Sequence, residues 1–333
     1  MNNKDEHIVD SFGRIHDYLR ISLTERCNLR CFYCMPEDGI ELRNKAEFMS
    51  AEELIKIADT FVKLGIKKIR LTGGEPLVKK NASLIIKELG KMPIELAITT
   101  NAIRIDSYIN ELKSANVKSI NISLDTLKRD RFTKITRRDY FNKVMSNIDL
   151  LVENNFKVKI NAVVIRGVNE DEIADFITLT LNKNINIRFI EFMPFDGNNW
   201  SWDKKVSFKE ILDLAYKTFG NNNVLKISDE KNDTTKNYKI ANSLGSFGII
   251  SSVTNPFCDT CNRIRLTADG KIKNCLFSNS ETDLLTALRN NEDIIPLVRQ
   301  SILTKKQHHG GIESFKNYSN KEIKNRSMTT IGG

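Results

Sequence analysis

The sequence predicts an α/β fold: an open (β/α)6 three-quarter TIM-like barrel followed by a smaller C-terminal domain. Three observations lead there. Between residues 18 and 193, six short apolar runs alternate with five longer amphipathic stretches, as parallel strands alternate with helical crossovers. Six repeats are too few to close an eightfold barrel. After residue 195 the alternation stops, which sets the expected division into domains at 1–195 and 196–333.

The expected strands are 18–23, 68–72, 94–99, 118–124, 157–164 and 187–192. Helical patterns lie between them at 50–64, 81–90, 105–114, 140–154 and 170–182. Ser50 and Glu53 stand at capping-box spacing and mark the first helix start. Beyond 195 a Trp/Asn-rich connection leads to a helix at 207–219, a polar stretch at 220–237, and strand-like pieces at 238–241 and 246–252. Chemistry in barrels of this kind sits at the C-terminal ends of the strands. Thr72-Gly73-Gly74-Glu75-Pro76, Thr99-Thr100-Asn101, Ser123-Leu124-Asp125 and Glu191-Phe192-Met193-Pro194 all fall at such ends. A glycine pair alone marks only a tight turn.

Composition narrows the classes of function. With 40% hydrophobic and 28% charged residues, the 333-residue chain reads as an ordinary globular protein. No run approaches the roughly 18 apolar residues of a membrane span. The net charge of +9 favours an anionic partner. That charge is spread along the chain, so a nucleotide polyphosphate suits it as well as a nucleic acid does. The polar start MNNKDEHIVD lacks the apolar core of a secretory signal, so a cytoplasmic location with reduced thiols is expected.

The six cysteines fall into two triplets, Cys27/Cys31/Cys34 as C-x3-C-x2-C and Cys258/Cys261/Cys275 as C-x2-C-x13-C. Thiolates suit iron–sulfur clusters and zinc. A cubane held by three cysteines keeps one iron open for a ligand, so two triplets suggest two reactive centres. The first triplet would also fit one face of a helix, but Glu25, Arg26, Asn28, Arg30 and Pro36 around it read as a loop leaving a strand. For the second, zinc stays open, because C-x2-C is equally frequent in zinc ribbons.

The stretch Arg26-Cys27-Asn28-Leu29-Arg30-Cys31-Phe32-Tyr33-Cys34-Met35-Pro36 resembles the signature of the radical S-adenosylmethionine (SAM) superfamily, and Gly73-Gly74-Glu75-Pro76 resembles its GGEP motif. Asn255-Pro256-Phe257-Cys258 through Cys275-Leu276-Phe277 is similar to the C-terminal motif of the molybdenum cofactor biosynthesis protein A family, the GTP 3′,8-cyclases. Leu19-Arg20-Ile21-Ser22, Lys159 to Val164, Arg166-Gly167-Val168-Asn169 and the terminal Ile331-Gly332-Gly333 extend the likeness nearly end to end. The resemblance implies two [4Fe–4S] clusters and SAM as cofactors, and GTP as substrate. It implies a radical cyclisation to (8S)-3′,8-cyclo-7,8-dihydroguanosine 5′-triphosphate on the route to cyclic pyranopterin.

Residue by residue, the resemblance assigns Cys27, Cys31 and Cys34 to the SAM cluster and Cys258, Cys261 and Cys275 to the GTP cluster. Tyr33, Gly74, Ser123 and Met193 match SAM-contacting positions. Arg20, Arg70, Thr99, Lys159, Arg263 and Arg265 match GTP-contacting ones, and Gly332 and Gly333 match a tail that reaches the active site. The implied partners are GTP, an external one-electron reductant and the next enzyme of the route. A homodimer stays open; no nucleic acid or membrane is implied. Two departures stand out: Asn101-Ala102 where the family often has Asn-Gly, and Lys79-Lys80 where arginine is frequent. His308-His309 reads as a solvated pair. A peptide-modifying radical enzyme and a nucleic-acid-binding protein with a structural metal site are the competing readings; the first usually has more cysteines, and the second leaves GGEP unexplained.

Overall fold

The computed structural model describes residues 7–35, 43–316 and 325–332. Six strands lie where the alternation puts them: β1 (Tyr18–Ser22), β2 (Lys68–Thr72), β3 (Glu95–Thr100), β4 (Ser119–Ser123), β5 (Lys157–Val164) and β6 (Ile185–Glu191). They pair in chain order and in parallel. The helices of this part are α1 (Ala51–Lys63), α2 (Ala82–Leu89), α3 (Ile109–Ser114), α4 (Arg129–Thr136), α5 (Phe141–Glu153) and α6 (Ile173–Asn182). Ser50 and Glu53 form the expected reciprocal capping box at the start of α1.

The helix α4 is absent from the sequence reading. Its octapeptide RDRFTKIT carries only two large apolar residues, Phe132 and Ile135, and ends on Arg137 in the left-handed region rather than on glycine. It has little helical signature and is held by its tertiary contacts.

The later residues contribute α7 (Phe208–Phe219), β7 (Val224–Lys226), β8 (Lys236–Ile240), β9 (Ser246–Ile250), β10 (Arg263–Leu266), β11 (Lys271–Lys273) and β12 (Thr282–Asp283). After these come α8 (Leu285–Arg289), α9 (Ile295–Leu303) and α10 (Met328–Ile331). Their strands do not build a sheet of their own. The order is β12-β11-β10-β1-β2-β3-β4-β5-β6-β9-β8-β7, so β9 extends the β6 edge and β10 the β1 edge, both in parallel. An uncovered strand edge leaves a row of unpaired backbone groups, and both edges of the six-stranded run are covered in this way.

Side-chain parity separates the two faces of the sheet. Leu19, Ile21, Ile69, Leu71, Leu96, Ile98, Ile120, Ile122, Val158, Ile160, Ile187 and Phe189 are all buried in one apolar cluster with Leu54, Phe61, Ile86, Ile148 and Phe176 of the helices. The intervening residues are polar or charged, apart from Ala97 in β3. Parallel strands covered by helices on both faces read as continuous apolar runs; these alternate, because only one face carries a helical layer. The other face borders a cavity.

Candidate active site

The cavity has a volume of about 430 Å³, and all six cysteines line it. Topology puts the two triplets at opposite ends of the strands. The first lies in the loop after β1, at the C-terminal edge. Cys258 and Cys261 precede β10, which runs parallel to β1, so they lie at the N-terminal edge. The hairpin of β10 and β11 returns the chain to that edge, which explains the thirteen-residue gap before Cys275. The four steps from Tyr18 to Ser22 alone span roughly 13 Å. The barrel motifs thus lie at the C-terminal ends of the strands, and the second triplet, expected in the C-terminal part of the chain, lies at the opposite edge.

The first cysteine loop is clamped by backbone contacts. Gly74 N–H donates to Thr24 O at 2.7 Å, and Glu75 N–H to Arg26 O at 2.8 Å. A Cβ on Gly74 would lie 2.5 Å from Arg26 O and 2.6 Å from Glu25 O, so only glycine permits this approach. Arg30 N–H and Phe32 N–H donate to the last carbonyls of α4, Thr136 and Ile135. Glu75 accepts from Leu77 N–H, Thr100 Oγ1 and Asn101 N–H, tying the glycine turn to the end of β3. Burial pushes that carboxyl up to about 7, against those hydrogen bonds. Gly74→Ala is expected to destabilise the fold by about 1–3 kcal/mol through backbone overlap and to displace the Cys27 loop. Thermal unfolding and accessibility of Cys27 to an alkylating reagent measure both; wild-type values for both would show the clamp to be slack.

Burial pushes the Cys27 thiol up to about 11 and Cys34 to about 12. Cys27 Sγ accepts from Leu29 N–H at 3.4 Å and Asn101 Nδ2 at 3.8 Å. Tyr33 donates its hydroxyl to Asp125 at 2.5 Å, and burial pushes Asp125 up to about 6. At the other end, burial raises Cys261, but Arg263 and Lys305 outweigh it and bring the thiol down to about 6. Cys258 Sγ accepts from His309 N–H at 3.5 Å. His309 is not the solvated residue expected from its polar stretch: it packs on Phe277 and Phe315 and its Nε2 meets Ser252 O at 2.9 Å. His308 is exposed as expected, facing Asp259.

Between the triplets lies a row of cations. Register places Arg265, Arg20 and Arg70 side by side on β10, β1 and β2. A second row aligns Thr99, Asn121 and Lys159 on β3, β4 and β5. These residues lie within the strands and line the cavity. Arg70 donates to the Tyr18 hydroxyl at 2.6 Å and to Ile98 O at 2.9 Å. Burial alone would raise the Tyr18 phenol, but Arg70 and Arg20 draw it down to about 7. Burial and neighbouring arginines lower Arg265 to about 9, and burial with Arg70 lowers Arg188 to about 10. Like charges abreast on neighbouring strands repel, so the row is complementary to an anion. Among the described residues Thr99 Oγ1, Asn121 Oδ1 and Asn161 Oδ1 are buried without a hydrogen-bond partner, as groups awaiting a ligand would be.

The tail reaches this floor. Arg265 Nη1 donates to Gly332 O at 2.8 Å, and Gly332 has φ +86°, with a Cβ there falling 2.7 Å from Ser22 Cβ. Arg326 anchors the segment through Asp269 and Glu281. Gly333 lies outside the described residues. The expected SAM-contact residues Tyr33, Gly74, Ser123 and Met193, and the expected GTP-contact residues including Arg263, all line the one cavity. Ala102, which stands where the family often has glycine, takes a φ of +63°, in the left-handed region. Lys79 turns away, donating to Met49 O. Missed by the sequence reading were Tyr18, Lys68, Asn121, Asn161 and Arg188; their alternation with apolar residues along each strand was the available signal.

Residues 21–180 match the Radical SAM superfamily, and residues 185–311 match Molybdenum Cofactor Synthesis C. The chain is 42% identical to the GTP 3′,8-cyclase of Peptoclostridium acidaminophilum, covering 100% of both chains. It is 44% identical to the mitochondrial GTP 3′,8-cyclase of Arabidopsis thaliana, covering 100% of this chain and 85% of that one. It is also 44% identical to molybdenum cofactor biosynthesis protein 1 of Drosophila melanogaster, over 92% of this chain and 55% of the relative. The chain thus spans about half the length of several curated relatives it matches. In fold it is similar to the crystal structure of Streptococcus suis SuiB, with a TM-score of 0.62 at 15% identity, over 91% of this chain and 69% of that one. Radical SAM enzymes work with a [4Fe–4S] cluster and SAM, and the cyclase family with a second [4Fe–4S] cluster. With full-length relatives at this identity, and the two cysteine triplets facing one cation-floored cavity, the chain belongs to the GTP 3′,8-cyclase family of the radical SAM superfamily.

Proposed function

We propose that this chain cyclises GTP to (8S)-3′,8-cyclo-7,8-dihydroguanosine 5′-triphosphate, the first step of molybdenum cofactor biosynthesis. The observation that carries the reading is the single cavity with a cysteine triplet at each end and the Arg265–Arg20–Arg70 row between them. When bound, the first cluster and SAM supply one-electron cleavage to a hydrogen-abstracting radical; the protein's part is to bind, orient and exclude water. Cys27, Cys31 and Cys34 hold the first cluster, and Cys258, Cys261 and Cys275 hold the second. Tyr33, Gly74, Ser123 and Met193 line the SAM position. Arg20, Arg70, Lys159, Arg263 and Arg265 take the triphosphate, with Thr99 beside them. Arginine forks suit phosphate pairs and lysine adds a point charge. Guanine lies toward the second triplet, and Gly332-Gly333 close on the reacting end.

Residues 1–195 serve as the radical SAM part, an open three-quarter barrel, and 196–333 as the substrate-cluster part. The working enzyme takes electrons from an external one-electron donor in the cytoplasm and passes its product to the enzyme that forms cyclic pyranopterin. Anaerobic incubation of the reconstituted protein with GTP, SAM and dithionite should yield 5′-deoxyadenosine and the cyclised triphosphate. ATP should not be converted, because a site built for the guanine edge leaves groups unpaired against adenine. Equal turnover of ATP and GTP would sink this reading, as would one zinc per chain in place of about eight irons.

Lys159 gives the site a pH signature. Burial, then Arg188, Arg70 and Lys68, bring its ammonium down to about 8. A triphosphate restores the charged form, so binding takes up a proton above that value. GTP affinity should hold from pH 7 to 8 and then fall by up to tenfold per pH unit. Equilibrium dialysis from pH 7 to 8.5, below the range in which Arg265 titrates, reads the slope, and Lys159→Met should make it shallower. A flat profile in the parent protein would remove Lys159 from the phosphate site.

A further inference from the structure

Lys305 is 4% exposed. Its ammonium donates to Cys261 Sγ at 3.5 Å and to Arg263 O at 3.0 Å. Among the described residues no carboxylate pairs with it. The cations nearest it do not relieve that imbalance. Arg14 is neutralised by Asp10 at 2.6 Å, a carboxylate that also meets His16 Nε2 at 3.0 Å. Arg263 lies over the Phe257 ring and donates to Asn232 O. A buried ammonium without a counter-charge is strongly destabilising. Among the described residues the side-chain partner of Lys305 is the Cys261 sulfur, and as ligands of a [4Fe–4S]2+ core the three thiolates would carry a net single negative charge, doubled when the cluster takes one electron.

The first triplet has the opposite setting. Among the described residues, Cys27 Sγ accepts from neutral donors, Leu29 N–H and Asn101 Nδ2. The Arg30 guanidinium nearby is turned to the carbonyls of Cys27 and Leu29. Asp125 stands over Tyr33, between Cys31 and Cys34 in sequence, and Glu75 is buried alongside. One end of the cavity therefore places two buried carboxyls near its cysteines, with its cation Arg30 spent on backbone carbonyls, and the other sets Arg263 and Lys305 near Cys261. A nearby positive charge favours the more negative, reduced form of a cluster.

Resting on the assignment of a cluster to each triplet, we propose that Lys305 is a redox-positioning residue. Its fixed charge against Cys261 eases one-electron reduction of the cluster at Cys258, Cys261 and Cys275. That cluster is thereby more easily reduced than the one at Cys27, Cys31 and Cys34. The step moves one electron from an external low-potential donor to the cluster, with no bond made or broken and no proton transferred. The ordering suits the chemistry, since the cluster that must cleave SAM needs the stronger reducing power.

The test uses the full chain with Cys27, Cys31 and Cys34 replaced by alanine, reconstituted anaerobically and titrated with dithionite and mediators under electron paramagnetic resonance. Lys305→Met and Lys305→Gln should each reduce at least tenfold less readily, a midpoint lower by about 59 mV or more. Lys305→Arg should stay within about threefold. Gln keeps a donor without the charge and so separates charge from hydrogen bond. The converse chain, with only the first triplet, should have a lower midpoint than the Lys305 parent by at least the same margin. If Lys305→Met sheds the cluster, Lys305→Gln decides. An unchanged midpoint with about four irons still bound overturns the proposal, as does loss of iron in all three Lys305 variants, arginine included. Absence of iron in the Lys305 parent itself would instead overturn the assignment of a cluster to the second triplet, and this proposal with it.

Discussion

Alanine at Cys258, Cys261 and Cys275 together is expected to leave a folded protein with about half the iron of the reconstituted parent, unchanged SAM binding and no cyclised product. The fold should survive because the loop's other ties do not use these sulfurs: Arg14 Nη1 holds Cys258 O at 2.8 Å, and β10 pairs with β1 through its backbone. SAM binding should survive because the first triplet is clamped by Gly74, Glu75 and the end of α4, the full length of β1 away. Product formation should not, because the sulfurs proposed to hold the second cluster against guanine are gone. Iron analysis, equilibrium SAM binding and product mass spectrometry read the three outcomes. Full iron content in this variant would show that the second triplet is not a cluster site.

Replacing Lys159 by alanine should weaken GTP binding ten- to a hundredfold at pH 7, the loss of a charge-assisted contact worth about 1.5–3 kcal/mol. SAM binding should be unaffected, since Lys159 lies in mid-strand, below Ser123 and Met193. Lys159 is a cleaner probe than Arg70, whose removal would strand Tyr18 and Ile98 O. Deleting Gly332-Gly333 should act on turnover instead. The phosphate cations all remain, while Arg265 loses the Gly332 carbonyl at 2.8 Å and the floor beside Ser22 and Thr72 opens. Parallel measurement of GTP binding and single-turnover product separates the two effects. A tail deletion with parental single-turnover yield would reduce the tail to a structural plug.

Much of this was legible in one dimension. Strands β1 to β6 and helices α1, α2, α5 and α7 follow from hydrophobic period and capping, which are local properties; Ser50 with Glu53 sets a boundary to within a residue. The cysteine triplets and the glycine pair are legible for the same reason, since each is a short segment whose spacing carries its chemistry. Helix α4 was not, because its few apolar residues gain their burial only from partners distant in sequence. Lys305 was not, because nothing in a lysine-rich stretch distinguishes the one ammonium that points inward onto Cys261. Nor could spacing alone place the second triplet at the opposite end of the strands from the first. That depends on β10 pairing in parallel with β1 across some 240 residues, a choice made by sheet edges seeking partners. The same pairing sets Arg265, Arg20 and Arg70 abreast. The sequence by itself determined most elements of the first 195 residues and the spacing of the cysteines; only the tertiary structure decided which charges face which sulfurs, because register and parity are relations between strands rather than properties of any one of them.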